Sequence, residues 1–358
     1  MLDEDTDTLP VTIQPDRTVR VKVLDNCGLA CTFCHNEGTA VTADNTPGRS
    51  TGRVSIYLGT NGASFLPARI EPGLDFAVAL AAMKGTIETD EVHFTGGEPT
   101  LHPRLDDMVH LAGKVGLAVG ITSNGENGAA VIPACAKAGL SKINFSVFGT
   151  TAGELASIQG GKYRSSKLAD RKLRALSESI ETAAACGVSS SANIVVPDSK
   201  HIDRALRLVE QHGHSVTVRL LNSLSGGDAS INAVNAVLRE LGAVPVRHVF
   251  TAGASGWRTQ YELPDGNAVC FKRIRQVRLP ETCTGCRFNN GTECEEGYYG
   301  IRLYRAQEGP FMVGVCIQRM DLCMTLGEFT MSRVGHEVRE LRRSEEHRLR
   351  QRFNNRID

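Results

Sequence analysis

The sequence predicts an α/β chain built on a partial (β/α)6 TIM-type barrel, with a smaller extension on its C-terminal side. Two observations carry this. Between residues 19 and 221, six strand-length apolar runs are separated by amphipathic helical stretches, the pattern of right-handed βα units laid into a parallel sheet. Beyond residue 221 that period lapses into glycine-rich loop, short strand-like runs and a second group of cysteines. At 358 residues the chain is long for one ordinary domain, but α/β barrels reach this length as single units with appendages.

Taken in order, residues 1–18 read as a loose, proline-containing lead and 19–24 as the first strand. Cys27, Cys31 and Cys34 follow it directly. The segment from 35 to 72, rich in Gly, Thr and Ser, is too long for a bare loop and is expected to cover the site. A helix at 74–83 comes next, then a strand at 91–95, a helix at 105–115, a strand at 118–122, a helix at 129–138 and a strand at 142–147. The long amphipathic stretch 166–186 precedes a strand at 191–196, and a helix at 203–211 precedes a strand at 215–221. Function in such a sheet gathers on the loops at the C-terminal ends of the strands, where the three cysteines stand. The barrel is assigned residues 19–230 and the extension 231–333, with a short helix at 232–241, strand-like runs at 246–251 and 259–263, and Asp265-Gly266 as a hairpin signal. Residues 334–358 read as a charged helix whose mixed signs pair along a solvated face.

Charge and composition narrow the class. The 40 basic residues balance 40 acidic ones, so no global field holds nucleic acid or a membrane surface, and a small polar substrate fits better. The acidic N-terminus MLDEDTDTLP lacks the apolar core of a signal peptide, and no membrane-spanning apolar run occurs. A cytoplasmic protein with no membrane partner is therefore expected. In that reducing compartment, eleven cysteines argue for metal ligation rather than disulfides.

Thiolates suit iron-sulfur clusters and zinc, and the C-x3-C-x2-C spacing lets one loop wrap three corners of a cubane, leaving one iron open. Zinc is the alternative, with His35 as its nearby fourth ligand. A second motif, Thr95-Gly96-Gly97-Glu98-Pro99-Thr100, closes the next strand at the same end of the sheet. Its glycines let backbone approach a ligand, and Glu98 offers a carboxylate to an ammonium group.

Together the two motifs resemble the radical S-adenosylmethionine (SAM) superfamily, whose signature pairs this cysteine loop, with an aromatic such as Phe33 before the third thiol, with a GGE motif on the second strand. The resemblance implies that Cys27, Cys31 and Cys34 hold a 4Fe-4S cluster whose open iron is chelated by SAM, with Phe33 near the adenine. Gly96, Gly97, Glu98 and Pro99 would lie along the methionine amino group. Thr122, Ser123 and Asn124 after the third strand, and Ser146 after the fourth, resemble the family's strand-end contacts to SAM, although each hydroxyl could equally satisfy turn backbone. Arg219 resembles the arginine that pairs the SAM carboxylate. Within an apolar strand it is hard to explain as structure alone, because a buried guanidinium needs an anionic partner.

From about residue 19 to 326 the chain is similar to the GTP 3',8-cyclase family of molybdenum-cofactor synthesis, in the GGEPTLHPRL segment, the VRLLN strand, and the hairpin leading to Cys283-Thr284-Gly285-Cys286. That family carries a C-terminal C-x2-C and one further cysteine as ligands to a second, auxiliary 4Fe-4S cluster; Cys283, Cys286 and Cys316 match them. Three departures point away from GTP cyclisation. Cys294 is an added thiol that would close the second cluster, Asn222 stands where the family has a glutamate, and the chain ends NNRID rather than in a Gly-Gly tail. A closed cluster would relay electrons, tune potential or brace the fold.

Cys135 and Cys186 read as small core residues. Cys270 and Cys323 are alternative fourth ligands, and Cys323 is also a candidate hydrogen-atom donor, a role thiols play in radical epimerases of the superfamily. The expected enzyme cleaves SAM reductively to a 5'-deoxyadenosyl radical, using an electron from an external donor such as flavodoxin or ferredoxin. It abstracts hydrogen from a nucleoside, nucleotide or sugar derivative, with His35, Asn36, Glu37 and Arg302 as pocket candidates, to drive rearrangement, cyclisation or epimerisation. A peptide-modifying maturase and a non-enzymatic iron-sulfur or zinc protein are the alternatives.

Overall fold

The computed structural model describes residues 8–34, 62–290, 293–307 and 309–357. His35, Asn36, Glu37 and most of the expected covering segment lie outside the described residues. In chain order, β1 (Val11–Pro15) and β2 (Thr18–Lys22) precede α1 (Leu74–Ile87). Strand and helix then alternate through β3 (Glu91–Thr95), α2 (Leu105–Lys114), β4 (Ala118–Ser123), α3 (Gly128–Ala138) and β5 (Leu140–Ser146). The helices α4 (Ala152–Ser157) and α5 (Ser166–Ala185) lead to β6 (Ser189–Val195), α6 (Ile202–His212), β7 (Thr217–Leu221) and α7 (Gly227–Glu240). The antiparallel run β8 (Val244–Ala252), β9 (Gly256–Glu262) and β10 (Ala268–Ile274) follows. After the second cysteine group come β11 (Ile301–Arg305), β12 (Phe311–Gly314), β13 (Met324–Thr325), α8 (Leu326–Thr330) and α9 (Arg333–Arg352). The α/β class and the strand-helix alternation that predicted the partial barrel are both present.

The elements form where local chemistry directs them. In α2 the apolar residues Leu105, Met108, Val109 and Ala112 recur at helical spacing and are the buried face. A capping box opens α4, with Thr151 accepting from the Glu154 amide and Glu154 answering the Thr151 amide. In β3, Val92, His93, Phe94 and Thr95 are all buried, as in a parallel strand covered on both faces.

The chain divides into two compact units. One comprises Arg17–Ser190 and Gly300–Gly335; the other comprises Ser191–Tyr299 with the described parts of Met1–Asp16 and His336–Asp358. In the first, β5, β4, β3, β2 and β11 lie in that order, each parallel to the next, and β12 and β13 add antiparallel. Lys22 aligns with Thr95, and Thr122 with Asn144, so the loops that follow these strands leave at one end. In the second unit β6 is parallel to β7 and β7 to β10, the antiparallel run β10, β9, β8 comes next, and β1 joins β8 in parallel.

Several elements differ from expectation. Residues 11–15, read as part of a loose lead, are a strand, because β8 offers them a ladder from Val11 opposite His248 to Pro15 opposite Ala252. α7 starts at Gly227, inside what reads as glycine-rich loop, with the Ser230 hydroxyl donating to Val196 O and accepting from the Ser223 amide. α9 is not a solvated helix: Glu337, Arg342 and Glu345 are buried along with Val338, Leu341 and Leu349. No helix among the described residues is long and apolar enough to cross a membrane.

Candidate active site

The end of β2 is laced to the end of β3. Val23 N–H donates to Thr95 O at 2.9 Å, Gly97 N–H to Leu24 O at 2.9 Å, and Glu98 N–H to Asn26 O at 2.8 Å. The two glycines make this approach possible. A Cβ on Gly96, whose φ is +143°, would stand 2.4 Å from Leu24 O, and one on Gly97 would stand 2.2 Å from Asn26 O. The surface these glycines admit is the chain's own segment leading into the cysteines.

Glu98 is 1% exposed and is held by four donors. Its Oε1 accepts from Thr100 N at 3.0 Å, Thr100 Oγ1 at 2.7 Å and Ser123 Oγ at 2.7 Å, and its Oε2 accepts from Asn124 N at 2.6 Å. Burial pushes this carboxyl up, while the donors, the Asn124 amide first, pull it down. Ser123 also accepts from the Gly125 amide at 2.9 Å. The structure thus brings Glu98, Ser123 and Asn124 together as the clasp of two strand ends. Pro99 opens the buried 3-10 turn that Glu98 caps. Thr122 and Ser146 are half-buried near the ends of β4 and β5.

The cysteine loop has its own braces. Cys31 is buried, and Cys27 and Cys34 are half-buried. The Leu29 amide and Asn124 Nδ2 each lie 3.5 Å from Cys27 Sγ, and Gln159 Nε2 lies 3.2 Å from Cys31 Sγ. Burial first, and the charges of Glu98 and Glu126 after it, push the Cys27 thiol up to about 12. Glu126 accepts the Gly28 amide at 2.7 Å and forms an ion pair with Lys172. Phe33 is exposed on one side and packs on Phe148, with ring centroids 5.2 Å apart. Sequence reasoning missed Gln159, Glu126 and Lys172, since nothing in their local pattern marks them as facing the loop.

Among the described residues no group of three or more His, Cys, Asp or Glu side chains, as placed, could hold a single metal ion. A cubane spreads its thiolates over different irons, so the fit of a cluster is judged by the donors. Two of the three thiols have N–H groups aimed at sulfur, which suits an anionic cluster.

The match to a family model decides the identity. The radical SAM superfamily model matches residues 21–211, more than half of the chain, and its span includes the cysteine loop and the Glu98 clasp. The chain belongs to the radical SAM superfamily. It is 25% identical over 281 residues to a probable GTP 3',8-cyclase of Aeropyrum pernix, covering 76% of this chain and 70% of that protein. It is also 29% identical over 131 residues to molybdenum cofactor biosynthesis protein 1 of Bos taurus, covering 36% of this chain and 17% of that protein. Among solved structures, Streptococcus suis SuiB bound to S-adenosylmethionine matches with a TM-score of 0.43 and 12% identity, covering 67% of this chain and 51% of that one. Membership makes the chain a radical SAM enzyme, with SAM and a 4Fe-4S cluster as the cofactors the family implies.

The other predicted residues divide between the two units. In one, Arg219 on β7 is half-buried and lies opposite Cys270 of β10. Cys270 is a buried strand residue whose thiol burial pushes up, with the Arg219 charge opposing. Cys283, Cys286 and Cys294 are half-buried on one loop. Asn289 donates to Cys283 O at 2.9 Å, and Glu337 of α9 accepts from the Thr282 amide at 3.0 Å. Asn222 accepts from the Ile274 amide at 2.6 Å and donates to Ile274 O at 3.2 Å, a pairing with both backbone groups that an ionised glutamate could not make. In the other unit, Arg302 is 4% exposed on β11 and Cys316 is half-buried. Cys323 packs beside Tyr304 and Met320; burial, then the charge of Cys316, pushes its thiol up to about 12.

Proposed function

We propose that this radical SAM enzyme abstracts hydrogen from a polar small molecule, a nucleoside, nucleotide or sugar derivative, and so drives a rearrangement, cyclisation or epimerisation. The observation that carries the chemistry is the braced loop, with Cys27, Cys31 and Cys34 clasped at the strand ends and N–H donors on two of the sulfurs. The balanced charge of the chain and its similarity to the cyclase-type relative over 76% of its length support a small polar substrate. GTP cyclisation itself is not proposed, because of Cys294 and Asn222.

In this reading Cys27, Cys31 and Cys34 hold the first cluster, and Phe33, Gly96, Gly97, Glu98, Pro99, Thr122, Ser123, Asn124 and Ser146 form or support the SAM site. When bound, the cluster supplies one electron and SAM the 5'-deoxyadenosyl radical. The chain's contribution is to hold its thiols in place through the Glu98 and Glu126 braces and to exclude water and stray hydrogen donors. Cys283, Cys286 and Cys294 are assigned to a second 4Fe-4S cluster that relays electrons or tunes potential, and flavodoxin or ferredoxin is the electron source. Cys323 is assigned as hydrogen donor and Arg302 as a substrate contact.

The test is anaerobic reconstitution with iron and sulfide, followed by SAM, dithionite and deuterated nucleosides, nucleotides, sugars and peptides. Formation of 5'-deoxyadenosine carrying deuterium from a nucleotide or sugar is the expected result. Absence of 5'-deoxyadenosine, or deuterium arriving only from a peptide, overturns the reading.

A further inference from the structure

Gln159 stands 128 residues from the thiol it touches and is 2% exposed. Its Oε1 accepts the Ala30 amide at 2.7 Å, which settles the orientation of the side-chain amide and leaves Nε2 facing Cys31 Sγ at 3.2 Å. The backbone around it is equally tied. Cys31 and Gln159 face each other as an antiparallel bridge, flanked by Thr32 N–H to Ile158 O at 2.9 Å and Gly160 N–H to Ala30 O at 2.8 Å. Arg164 Nε donates to Gln159 O at 2.8 Å. A side chain fixed at its oxygen, its backbone and its buried surroundings cannot turn its N–H away from the sulfur.

We propose that Gln159 sets the reduction potential of the first cluster by donating its amide N–H to the Cys31 thiolate. This rests on the reading of Cys31 as a ligand of that cluster. One electron passes from the external donor to the cluster, and no bond of the protein forms or breaks. The added negative charge is shared by the ligand sulfurs, so a donor aimed at one of them stabilises the reduced form more than the oxidised form and makes reduction easier. Burial strengthens the effect by keeping water from screening it. The contact at 3.2 Å is shorter than the two at 3.5 Å on Cys27, which makes Gln159 the stronger lever of the three.

Gln159→Met keeps the length and burial of the side chain but has no N–H. The full-length reconstituted protein is titrated electrochemically, following by EPR the reduced-cluster signal that changes on adding SAM. At the wild-type midpoint, the ratio of reduced to oxidised cluster is expected to fall at least about threefold in Gln159→Met, with iron per chain unchanged. In wild-type protein carrying glutamine labelled with 15N at the side-chain amide, the same signal is expected to show a nitrogen hyperfine coupling. This second measurement decides the matter if the variant loses iron. An unchanged midpoint at full iron content, or no coupling in the wild type, overturns the proposal. A SAM-sensitive signal that survives in Cys31→Ala overturns the ligand reading beneath it instead.

Discussion

A methyl group on Gly28 would meet Glu126 Oε1 at 1.7 Å, so this position in the cysteine loop is reserved by a carboxylate 98 residues away. Gly28→Ala must push Glu126 off both the Gly28 amide and Lys172. A cost of about 1–3 kcal/mol, typical of overpacking, is expected in urea unfolding, together with reduced iron retention after reconstitution. Equal stability and iron content in the variant would show that the carboxylate moves freely. A second residue-scale expectation concerns His93, buried on β3 between Glu91, 3.6 Å from Nδ1, and Asn144, 3.4 Å from Nε2. Burial holds its pKa below the usual imidazole value, with the Arg20 and Lys142 charges adding to it and Glu91 opposing. The folded chain then binds fewer protons here than the unfolded chain. Stability contributed by neutral His93 is present above the unfolded pKa of about 6.5 and is lost as pH falls below it, with a limiting slope of about 1.4 kcal/mol per pH unit. Melting temperatures between pH 7.5 and 5.5 should fall more steeply for the wild type than for His93→Gln.

At the scale of elements, α9 is the clearest gain over the sequence. Interleaved Arg and Glu read as a self-pairing solvated face, and exposed pairs such as Arg350 with Glu346 at 2.9 Å do occur. The opposite face is a polar dock. Glu345 accepts the Gly253 amide at 2.6 Å and pairs with Arg275 at 2.7 Å, and Glu337 accepts the Thr282 amide. Phe353, just beyond the helix, stacks on Phe250 at 4.9 Å, in a cluster with Val11, Ile13 and Leu349. That cluster binds β1, β8 and the end of the chain together, so Phe353→Ala should cost about 3–5 kcal/mol. Hydrogen exchange in the same variant should rise at residues 11–15, where a detached C-terminal helix would leave exchange unchanged.

For the molecule as a whole, the two cysteine groups invite a separable count. If each holds its own cluster, replacing Cys27, Cys31 and Cys34 by Ala should leave about four of about eight irons and abolish SAM cleavage. Replacing Cys283, Cys286 and Cys294 should remove the other four or so. A single triple variant that empties both sites would contradict independent clusters. The two compact units that carry these groups are each discontinuous in sequence. Such units are closed by strand pairings such as β7 with β10 and β2 with β11, which no local pattern announces.

What the sequence determined by itself was periodic or clustered: the strand-helix alternation, the three thiols after β2, the GGE turn after β3 and the hairpin at Asp265-Gly266. Period and spacing report on short segments, and short segments are where backbone preference and burial of one face act. Only the tertiary structure decided what each polar group touches. Glu98, read as a ligand for an ammonium, is met by Thr100, Ser123 and Asn124, while Gln159 and Glu126, unremarkable in sequence, reach the cysteine loop across 129 and 98 residues. A buried donor or acceptor must find a partner wherever the fold brings one within about 3 Å, and that partner is chosen in space, after the strands have chosen their neighbours.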